Sequence, residues 1–470
     1  MINLIFSNGT QNTNSSIIPD LGLDSLQNIL DKESFYNFIK VISNPLTSLD
    51  KIYERQNILK DFIDHENLAK NVYDLCKSHA EMRFPTYGAY SRPDTHSKLR
   101  DCLKTFNDAY SFFDKLLGLL KNNTFKSKNL NDLLEKLNEN SSFYDEIRIS
   151  VNKMAQACFE NDYTLSVTFN EALVLQNGNI SSTNYWQSKF SFFKKKSAFF
   201  AAVTYANDQM AENCVYEIND KISRNLISVT KTIIRLINDF CDELTVGTGF
   251  YLSAIKILKK AKCFCFPVFD SDFIIAESIY DISINGDIVY NNFESETGYF
   301  YLISGPNQGG KTTFLRSLGT AQLFAQGGII VPAERYRCPV YQNIITHFPK
   351  DEDADCVFGK LAEELTRLKT DYPKMSDNAL VLFNESFATT TEKEGCEIAE
   401  DILKALSTSD SDVFFVTHIY KLLEKYKEID LLNNKKVKSL VSGLNKDLSR
   451  NYKIYESEPQ KQIYTMEFLF

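Results

Sequence analysis

One eight-residue stretch limits the possible folds of this chain more than any other feature. Residues 305–312 read GPNQGGKT, which fits the pattern G-x-x-x-x-G-K-[ST]. A buried strand is predicted before it at Tyr299–Ser304, and a helix is predicted after it at Thr312–Phe324. A strand, a glycine loop and a helix in this order are typical of a βαβ unit. The pattern therefore predicts a largely parallel sheet with helices on its faces.

The residue types of this loop indicate what it binds. Glycines let backbone N–H groups turn towards phosphate oxygens, and the N-terminus of the following helix adds positive potential. We expect Lys311 to neutralise the β- and γ-phosphates and the Thr312 hydroxyl to bind Mg²⁺. The sequence thus predicts a site for ATP and Mg²⁺, with these cofactor-binding residues: Gly305, Pro306, Asn307, Gln308, Gly309, Gly310, Lys311, Thr312 and Thr313.

A second predicted strand ends in residues suited to hydrolysis. The run Ala379–Glu385 reads ALVLFNE, so that Asn384 and Glu385 stand at its carboxyl end. Phosphate-loop ATPases usually have Asp before Glu here, where Asp holds the water shell of the metal ion. The uncharged amide of Asn384 is expected to weaken Mg²⁺ binding and to slow hydrolysis. Glu385 is the candidate general base, and Thr312, Asn384 and Glu385 are the candidate metal ligands.

A third strand-like run, Val413–Thr417, is followed directly by His418. A histidine in this position is a candidate catalytic residue that senses the γ-phosphate, and the alternative is a loop histidine bonded to backbone. Between the second and third runs, Thr391 and Glu394 form a capping box, which predicts a helix from there through Leu406.

The N-terminal half is predicted to be mainly helical after a flexible leader that includes residues 8–16. Thr164–Phe169 and Ala172–Val174 suggest a small hairpin. Residues 211–240 predict one long helix, which is either a packed helix of a bundle or a projecting lever. Its predicted apolar stripe is Val215, Ile218, Ile222, Leu226, Val229, Ile233, Leu236 and Phe240.

Charge and cysteine content narrow the classes of protein that remain. Lys189 and Lys194–Lys196 are interleaved with phenylalanines, which indicates either a nucleic-acid contact or a solvated helix face. The net charge of −9 disfavours a dedicated basic nucleic-acid wrapper. The ten cysteines contain no C-x-x-C pair, as expected for free thiols in a reducing cytoplasm. The apolar stretches are too short for a membrane helix, so a cytoplasmic protein without a membrane partner is predicted.

These segments resemble the ATPase domain of the MutS family, which belongs to the ABC-type ATPases. The resemblance rests on LISGPNQGGKTTFLRSL at 302–318, GGIIVPAE at 327–334, LVLFNES at 380–386 and VTHIYKL at 416–422. Residues 38–59 and 250–261 are similar to the lever and core helices of the same family. The resemblance implies an α/β, ABC-type P-loop ATPase head at the C-terminus, preceded by an all-α lever and core domain. The expected division is a flexible leader at 1–27, a lever and core domain at 28–265 and the ATPase domain at 266–470.

Carried over to this chain, the family's pattern assigns nucleotide binding to the glycine loop, water activation to Glu385 and γ-phosphate sensing to His418. The family's signature helix, which reaches across the dimer, corresponds to Val357–Leu368, with Gly359 where the family usually has a serine. The acidic residues before it, Asp351, Glu352, Asp353 and Asp355, favour the helix dipole. Because lever-like helices begin near residue 30, no mismatch-reading domain is expected in this chain.

The resemblance implies a MutS-like, homodimeric ATPase that clamps duplex or branched DNA between its helical levers, in DNA repair. The DNA contacts are expected on the backbone, without mismatch specificity. The alternative is a hydrolysis-poor nucleotide switch that binds RNA, a ribosome or another protein. Asn384, the net charge and the missing mismatch-reading domain favour that alternative. A monomeric kinase is a third possibility, which leaves His418 and the long helices without roles.

Overall fold

The computed structural model describes residues 4–6, 13–82, 94–160, 163–169, 175–182, 209–350, 359–388, 390–445 and 449–459. The chain divides into two compact units that are interleaved in sequence. Unit 1 comprises Asn67–Thr124 and Leu130–Thr245 together with the first two residues, and unit 2 comprises Asn3–Glu66, Phe125–Asn129 and Val246–Phe470. The domains expected from the sequence, at 28–265 and 266–470, were consecutive. The lysines interleaved with phenylalanines at 189–199 and the acidic residues at 351–355 lie outside the described residues.

Helices make up most of the N-terminal half. In chain order, the described α-helices are α1 Ile17–Asp20, α2 Lys32–Ile42, α3 Leu49–Asp64, α4 Glu66–Met82, α5 Thr95–Leu120, α6 Lys128–Glu139, α7 Ser141–Glu160, α8 Gln209–Lys260, α9 Lys311–Gln326, α10 Lys360–Met375, α11 Glu392–Leu406 and α12 Tyr420–Glu424. Short 3₁₀ helices lie at Leu23–Asn28 and Tyr426–Glu428. Pro45 lies in the break between α2 and α3, as predicted, because proline removes a backbone donor and disfavours helix before it.

Strands concentrate in the C-terminal part. They are β1 Tyr163–Phe169, β2 Leu175–Ser182, β3 Ile275–Ile279, β4 Asn291–Glu294, β5 Tyr299–Ser304, β6 Arg335–Arg337, β7 Asn343–His347, β8 Ala379–Asn384, β9 Asp412–Val416, β10 Lys436–Leu444 and β11 Arg450–Glu456. β1 and β2 pair antiparallel, so the predicted hairpin exists. Its second strand is Leu175–Ser182, whereas the predicted second run, Ala172–Val174, lies outside the described residues. The predicted all-α domain therefore contains a hairpin.

Unit 1 packs helices around aromatic and small polar side chains. The ring of Phe240 on α8 lies 5.9 Å from that of Phe113 on α5, in a stacked arrangement. Cys102 on α5 and Thr230 on α8 are hydrogen-bonded at 2.9 Å between Sγ and Oγ1, which satisfies two buried polar groups. These contacts pack the part of α8 that belongs to unit 1 against α5, as expected for a packed helix of a bundle.

The apolar stripe predicted on α8 does not match its buried face. Leu226 and Phe240 are buried, but Val229 is 53% exposed and Leu236 is 48% exposed. The packed face is offset by one residue from much of the stripe, because Thr230, Ile234 and Ile237 are buried next to Val229, Ile233 and Leu236. The buried face of α8 also includes polar residues, among them Asn219, Ser223 and Thr230. The side chains of Val215 and Ile218 lie outside the described residues.

Unit 2 contains a six-stranded mixed sheet in the order β11-β10-β5-β9-β8-β7. All neighbouring pairs are parallel except β10 and β11, which are antiparallel. β7 and β8 are buried along their whole length, as expected for parallel strands that are covered on both faces. A second sheet of three short antiparallel strands has the order β4-β3-β6. The α/β class predicted for the C-terminal part agrees with this architecture.

The predicted flexible leader at 1–27 is wrong for residues 13–27. These residues form α1 and the turn of 3₁₀ helix after it, and Leu21, Leu23 and Leu26 are fully buried. The Asp20 carboxylate accepts a hydrogen bond of 2.6 Å from the Thr346 hydroxyl at the end of β7. The polar tract at 8–16 suggested disorder, but the leucines that follow it have a core to pack into, which only the folded unit supplies.

Two smaller differences concern the C-terminal part. Ile329–Pro332 is an apolar run of the kind that favours a strand, but it forms only one isolated bridge, between Val331 and Cys265. The helix after the glycine loop runs from Lys311 to Gln326 and is longer than predicted. In the described part of the chain, no helix combines the length and the hydropathy needed to cross a membrane.

Candidate active site

The predicted site residues of unit 2 lie at one edge of the six-stranded sheet, where its parallel strands end. β5 leads into Gly305, β8 into Glu385 and β9 into Thr417. Backbone bonds continue the sheet beyond these ends: the Glu385 N–H donates to Val416 O at 2.8 Å, and the Thr417 N–H donates to Ile303 O at 3.1 Å. The three segments that follow these strands are therefore neighbours. In open α/β sheets, the carboxyl edge of the parallel strands is where ligands usually bind.

The loop at 305–310 has a backbone that requires glycine at three positions. Gly305 and Gly310 have φ angles of 137° and 91°, which side chains disfavour. A Cβ on Gly309 would lie 2.8 Å from Pro306 O and 2.4 Å from Ser442 Oγ, so there is no space for one. The loop is thus a tight, side-chain-poor cradle directly before the N-terminus of α9, and such a cradle suits phosphate.

Lys311 is held against this loop. Its side chain is buried, with the residue only 3% exposed, and Nζ donates to Gly305 O at 3.0 Å and to Pro306 O at 2.8 Å. Hydrogen bonds to these neutral carbonyls orient the buried ammonium within the loop. Its effect reaches Glu385, because the charge of Lys311 is one of the causes that lower the pKa of that carboxylate.

Thr312 and Asn384 meet between the first and second segments. The Thr312 hydroxyl donates to Asn384 Oδ1 at 2.9 Å. With its proton directed at the amide, the hydroxyl oxygen keeps its lone pairs for another partner. Among the residues that the structure describes, no group of three His, Cys, Asp or Glu side chains is arranged to hold a metal ion. These neutral oxygens therefore fit an Mg²⁺ ion that is bound chiefly by phosphate and water, as is usual for this ion.

Glu385 and His418 form a direct pair. His418 Nε2 lies 3.0 Å from Glu385 Oε1, and the two side chains are 27% and 38% exposed, respectively. The hydrogen bond from His418 is the largest cause that lowers the pKa of Glu385; burial opposes it, and the Lys311 charge adds to it. Glu385 is therefore ionised at neutral pH and in contact with solvent. A carboxylate in that state can orient a water molecule and accept its proton.

The remaining predicted residues differ in accessibility. Pro306 is buried, Asn307 and Gln308 are exposed at the tip of the loop, and Thr313 is half-buried in the first turn of α9. Gly359 precedes α10 as its N-cap and offers no side-chain cap. Its expected role across a dimer stays a prediction. Thr391 caps α11 as predicted, since its hydroxyl accepts from the Glu394 N–H.

Sequence reasoning missed the residues that β10 and β11 bring to the loop. The Tyr452 Cα lies 3.4 Å from the place where a Cβ on Gly310 would be, and Ser442 Oγ lies under Gly305 and Gly309. The Arg450 guanidinium donates to Gln308 Oε1 at 3.4 Å. No local pattern around these residues indicates a site. Only the position of β10 beside β5, and of β11 beside β10, brings them there.

Two family models match this chain, and one of them covers the residues of this site. The model of MutS domain V matches residues 301–468, which contain the glycine loop, Glu385 and His418. The model of the MutS2 N-terminal domain matches residues 47–262.

Individual MutS and MutS2 proteins are also similar in sequence to this chain. A DNA mismatch repair protein MutS from Halalkalibacterium halodurans is 21% identical over 89% of this chain and 55% of its own length. One from Acholeplasma laidlawii is 22% identical over 54% of this chain and 31% of its own length. The endonuclease MutS2 of Streptococcus mutans is 32% identical over 30% of this chain and 18% of its own length. The chain thus spans about half or less of the length of these relatives. With both family models matched in chain order, and with the predicted segments meeting at one sheet edge, the chain is a MutS-like protein.

Proposed function

We propose that this chain binds and hydrolyses ATP at the carboxyl edge of the six-stranded sheet, as the P-loop ATPase head of a MutS-like protein. The observation that carries the proposal is the meeting of two features at that edge. One is the glycine loop with Lys311, and the other is the Glu385–His418 pair at 3.0 Å. A phosphate cradle and an ionised, solvent-accessible carboxylate are the two parts that hydrolysis of a phosphoanhydride requires.

The residues of the site have separate roles in this proposal. Backbone N–H groups of the loop bind phosphate oxygens, and Lys311 offsets their charge. Glu385 orients the attacking water and accepts its proton, while His418 holds the carboxylate in its ionised form and senses the γ-phosphate. Mg²⁺, when bound, would offset charge on the β- and γ-phosphates. Thr312 and Asn384 are the neutral oxygen donors that would hold it.

We further propose that the protein acts as a homodimer on DNA in the cytoplasm. Gly359, at the start of α10, would face the nucleotide of the partner subunit, and the helices of unit 1 would hold duplex or branched DNA through its backbone. The names of the MutS relatives support a role in DNA repair. ATP binding and hydrolysis would favour different arrangements of the dimer and so couple the site to the DNA.

A second candidate is supported by Asn384. Its neutral amide bonds Thr312 where an acidic residue would attract the metal ion, so turnover is expected to be slow. In that case the protein is a nucleotide switch that binds RNA, a ribosome or another protein. The match to the MutS2 N-terminal domain is compatible with either candidate.

ATP hydrolysis, measured alone and with duplex DNA, branched DNA and RNA at low salt, tests the proposal. Stimulation by DNA, lost in Lys311→Ala, would support the first candidate. ATP-driven dimerisation without DNA binding at low salt would support the second, because phosphate contacts are strongest at low salt. A wild-type protein that neither binds nor hydrolyses ATP would contradict both.

A further inference from the structure

The turn that follows Glu385 has an unusual backbone. Glu385 has a φ angle of 49° and Phe387 one of 63°, although neither is a glycine. Residues with side chains adopt the left-handed region at a cost, and such a conformation persists only where surrounding contacts hold it. The position of the Glu385 carboxylate therefore depends on whatever holds residues 386 and 387.

Two hydrogen bonds hold this turn, one to the end of β7 and one to a side chain of α10. The Ser386 hydroxyl donates to the backbone carbonyl of His347, at the end of β7, at 2.9 Å. The Phe387 N–H donates to the side chain of Glu364, on α10, at 3.0 Å. Glu364 Oε1 thus accepts from the backbone N–H two residues after Glu385.

Glu364 lies in a largely apolar environment. The residue is 8% exposed, and its neighbour His347 is 1% exposed. The His347 ring lies between those of Phe383 and Phe387, at centroid distances of 5.6 and 6.0 Å. Neither of its ring nitrogens has a hydrogen-bond partner among the described residues; its Nε2 is 3.6 Å from Glu364 Oε1. A carboxylate is costly to bury, so its presence needs a reason beyond filling space.

We propose that Glu364 is a positioning residue for Glu385, which it holds in place through the Phe387 N–H, with His347 as its buried support. This inference rests on the proposed function, in which Glu385 activates water. Glu364 lies five residues after Gly359 along the same helix, a rise of about 7.5 Å. A displacement of the start of α10 would therefore move the turn at 385–387, which carries Glu385. The hydrogen bond between Glu364 and the Phe387 N–H would thus couple α10, which is proposed to face the partner subunit, to hydrolysis.

Three variants test this proposal in the full-length protein. Glu364→Ala removes the acceptor, and Glu364→Gln keeps a carbonyl oxygen for the Phe387 N–H. Glu363→Ala removes a carboxylate from the exposed side of the same helix and is the matched control. The readouts are kcat and KM for ATP, together with hydrogen exchange of the backbone amides at 385–388 in the nucleotide-free protein.

We expect Glu364→Ala to lower kcat by about 10- to 100-fold with KM within about twofold, since displacing a catalytic group by 1 Å has effects of this size. Exchange at Phe387 should accelerate by about tenfold or more, because its N–H loses a hydrogen bond. Glu364→Gln should restore most of kcat and of the protection. A merely structural role would lower ATP binding and kcat together as the fold loosens, and the amide would not rescue kcat specifically.

Unchanged exchange at Phe387 in Glu364→Ala would overturn the proposed role of Glu364. Equal effects of Glu364→Ala and Glu363→Ala on kcat would overturn it as well. Failure of the proposed function would look different. In that case the wild-type protein would show no ATP turnover, while the exchange experiment would still report whether Glu364 holds the turn. Accelerated exchange with an unchanged, measurable kcat would mean that the turn does not position the base.

Discussion

Two histidine–glutamate pairs lie near the same edge of the six-stranded sheet, and they differ in almost every physical respect. His418 and Glu385 are 3.0 Å apart, with side chains that are 27% and 38% exposed. His347 and Glu364 are 3.6 Å apart, with side chains that are 0% and 10% exposed. The first pair follows β9 and β8. The second joins the end of β7 to α10.

The difference indicates that exposure, rather than residue type, separates the two roles. A carboxylate in contact with solvent can reach water and a phosphate, and its lowered pKa keeps it ionised at neutral pH. A carboxylate that is largely buried beside His347 can only hold its neighbours, here the Phe387 N–H. The exposed pair is therefore expected to govern the chemical step directly, and the buried pair only through the geometry of the turn.

The largest expected effect is the loss of hydrolysis when the Glu385 carboxylate is neutralised. Neutralising the Glu364 carboxylate gives the comparison. Glu385→Gln should lower the rate of ATP hydrolysis by about 10²- to 10⁴-fold, the usual contribution of a general base. Glu364→Gln should stay within about threefold of wild type, because the amide still accepts from Phe387. Single-turnover hydrolysis with ATP binding measured in parallel tests this. Similar losses in the two variants would remove the distinction between the pairs.

The exposed pair, Glu385 and His418, can act on ATP only if the nucleotide binds at the glycine loop beside it. Lys311→Ala should weaken ATP binding by about 100-fold, because the phosphates lose a charged, preoriented donor. Lys421→Ala, which removes an exposed lysine of α12, is the matched control and should bind normally. Equilibrium binding of a fluorescent ATP analogue gives both affinities. Unchanged affinity in Lys311→Ala would mean that the loop is not the phosphate site.

The buried pair should contribute more to the stability of the fold than the exposed pair. Glu364→Ala leaves the buried Phe387 N–H without its acceptor and should lower the free energy of unfolding by about 1–3 kcal/mol. His418→Ala breaks a partly exposed pair and should change it by less than about 1 kcal/mol. Urea unfolding at neutral pH measures both values. A larger loss in His418→Ala would show that the exposed pair has a structural role.

The smallest effect concerns the residue beside the exposed pair. Asn384→Asp adds a charge near the proposed metal position and should tighten Mg²⁺ by about tenfold, because about 2 kcal/mol of Coulomb energy between a single and a double charge in water at 4 Å is screened by physiological salt to little more than about 1 kcal/mol. Turnover should rise with it if a weak metal site limits hydrolysis. Titration of ATPase activity with Mg²⁺ tests this, with Asn384→Ala as the control that adds no charge. A lower rate in Asn384→Asp would indicate that the neutral amide has a role other than accepting from the Thr312 hydroxyl, which a carboxylate also does.

Much of the site was predictable because its signals are local. The glycine loop, the strand before it and the cap at Thr391 each depend on residues that are adjacent in sequence. Glu385 and His418 were predictable as strand-end residues, since parallel strands bring such ends to one edge. Their hydrogen bond follows from β8 and β9 being neighbours in the sheet.

Other predictions failed where the deciding contact is distant. Residues 13–27 looked like a flexible leader, yet Asp20 bonds Thr346 more than 300 residues later. The predicted stripe on α8 counted only apolar residues, whereas its packed face includes Ser223 and Thr230. Neither partner could be read from a local pattern, because burial depends on what the rest of the unit presents.

By itself, the sequence determined the glycine loop, because the backbone at 305 and 310 lies in the left-handed region that favours glycine, with Lys311 and Thr312 directly after it. Tertiary structure alone decided what surrounds it. The strand order brings Tyr452 against the loop, and β7 with α10 brings His347 and Glu364 behind Glu385. Backbone strain at a glycine is a property of neighbouring residues, whereas the burial of a carboxylate depends on elements that meet only when the sheet is complete.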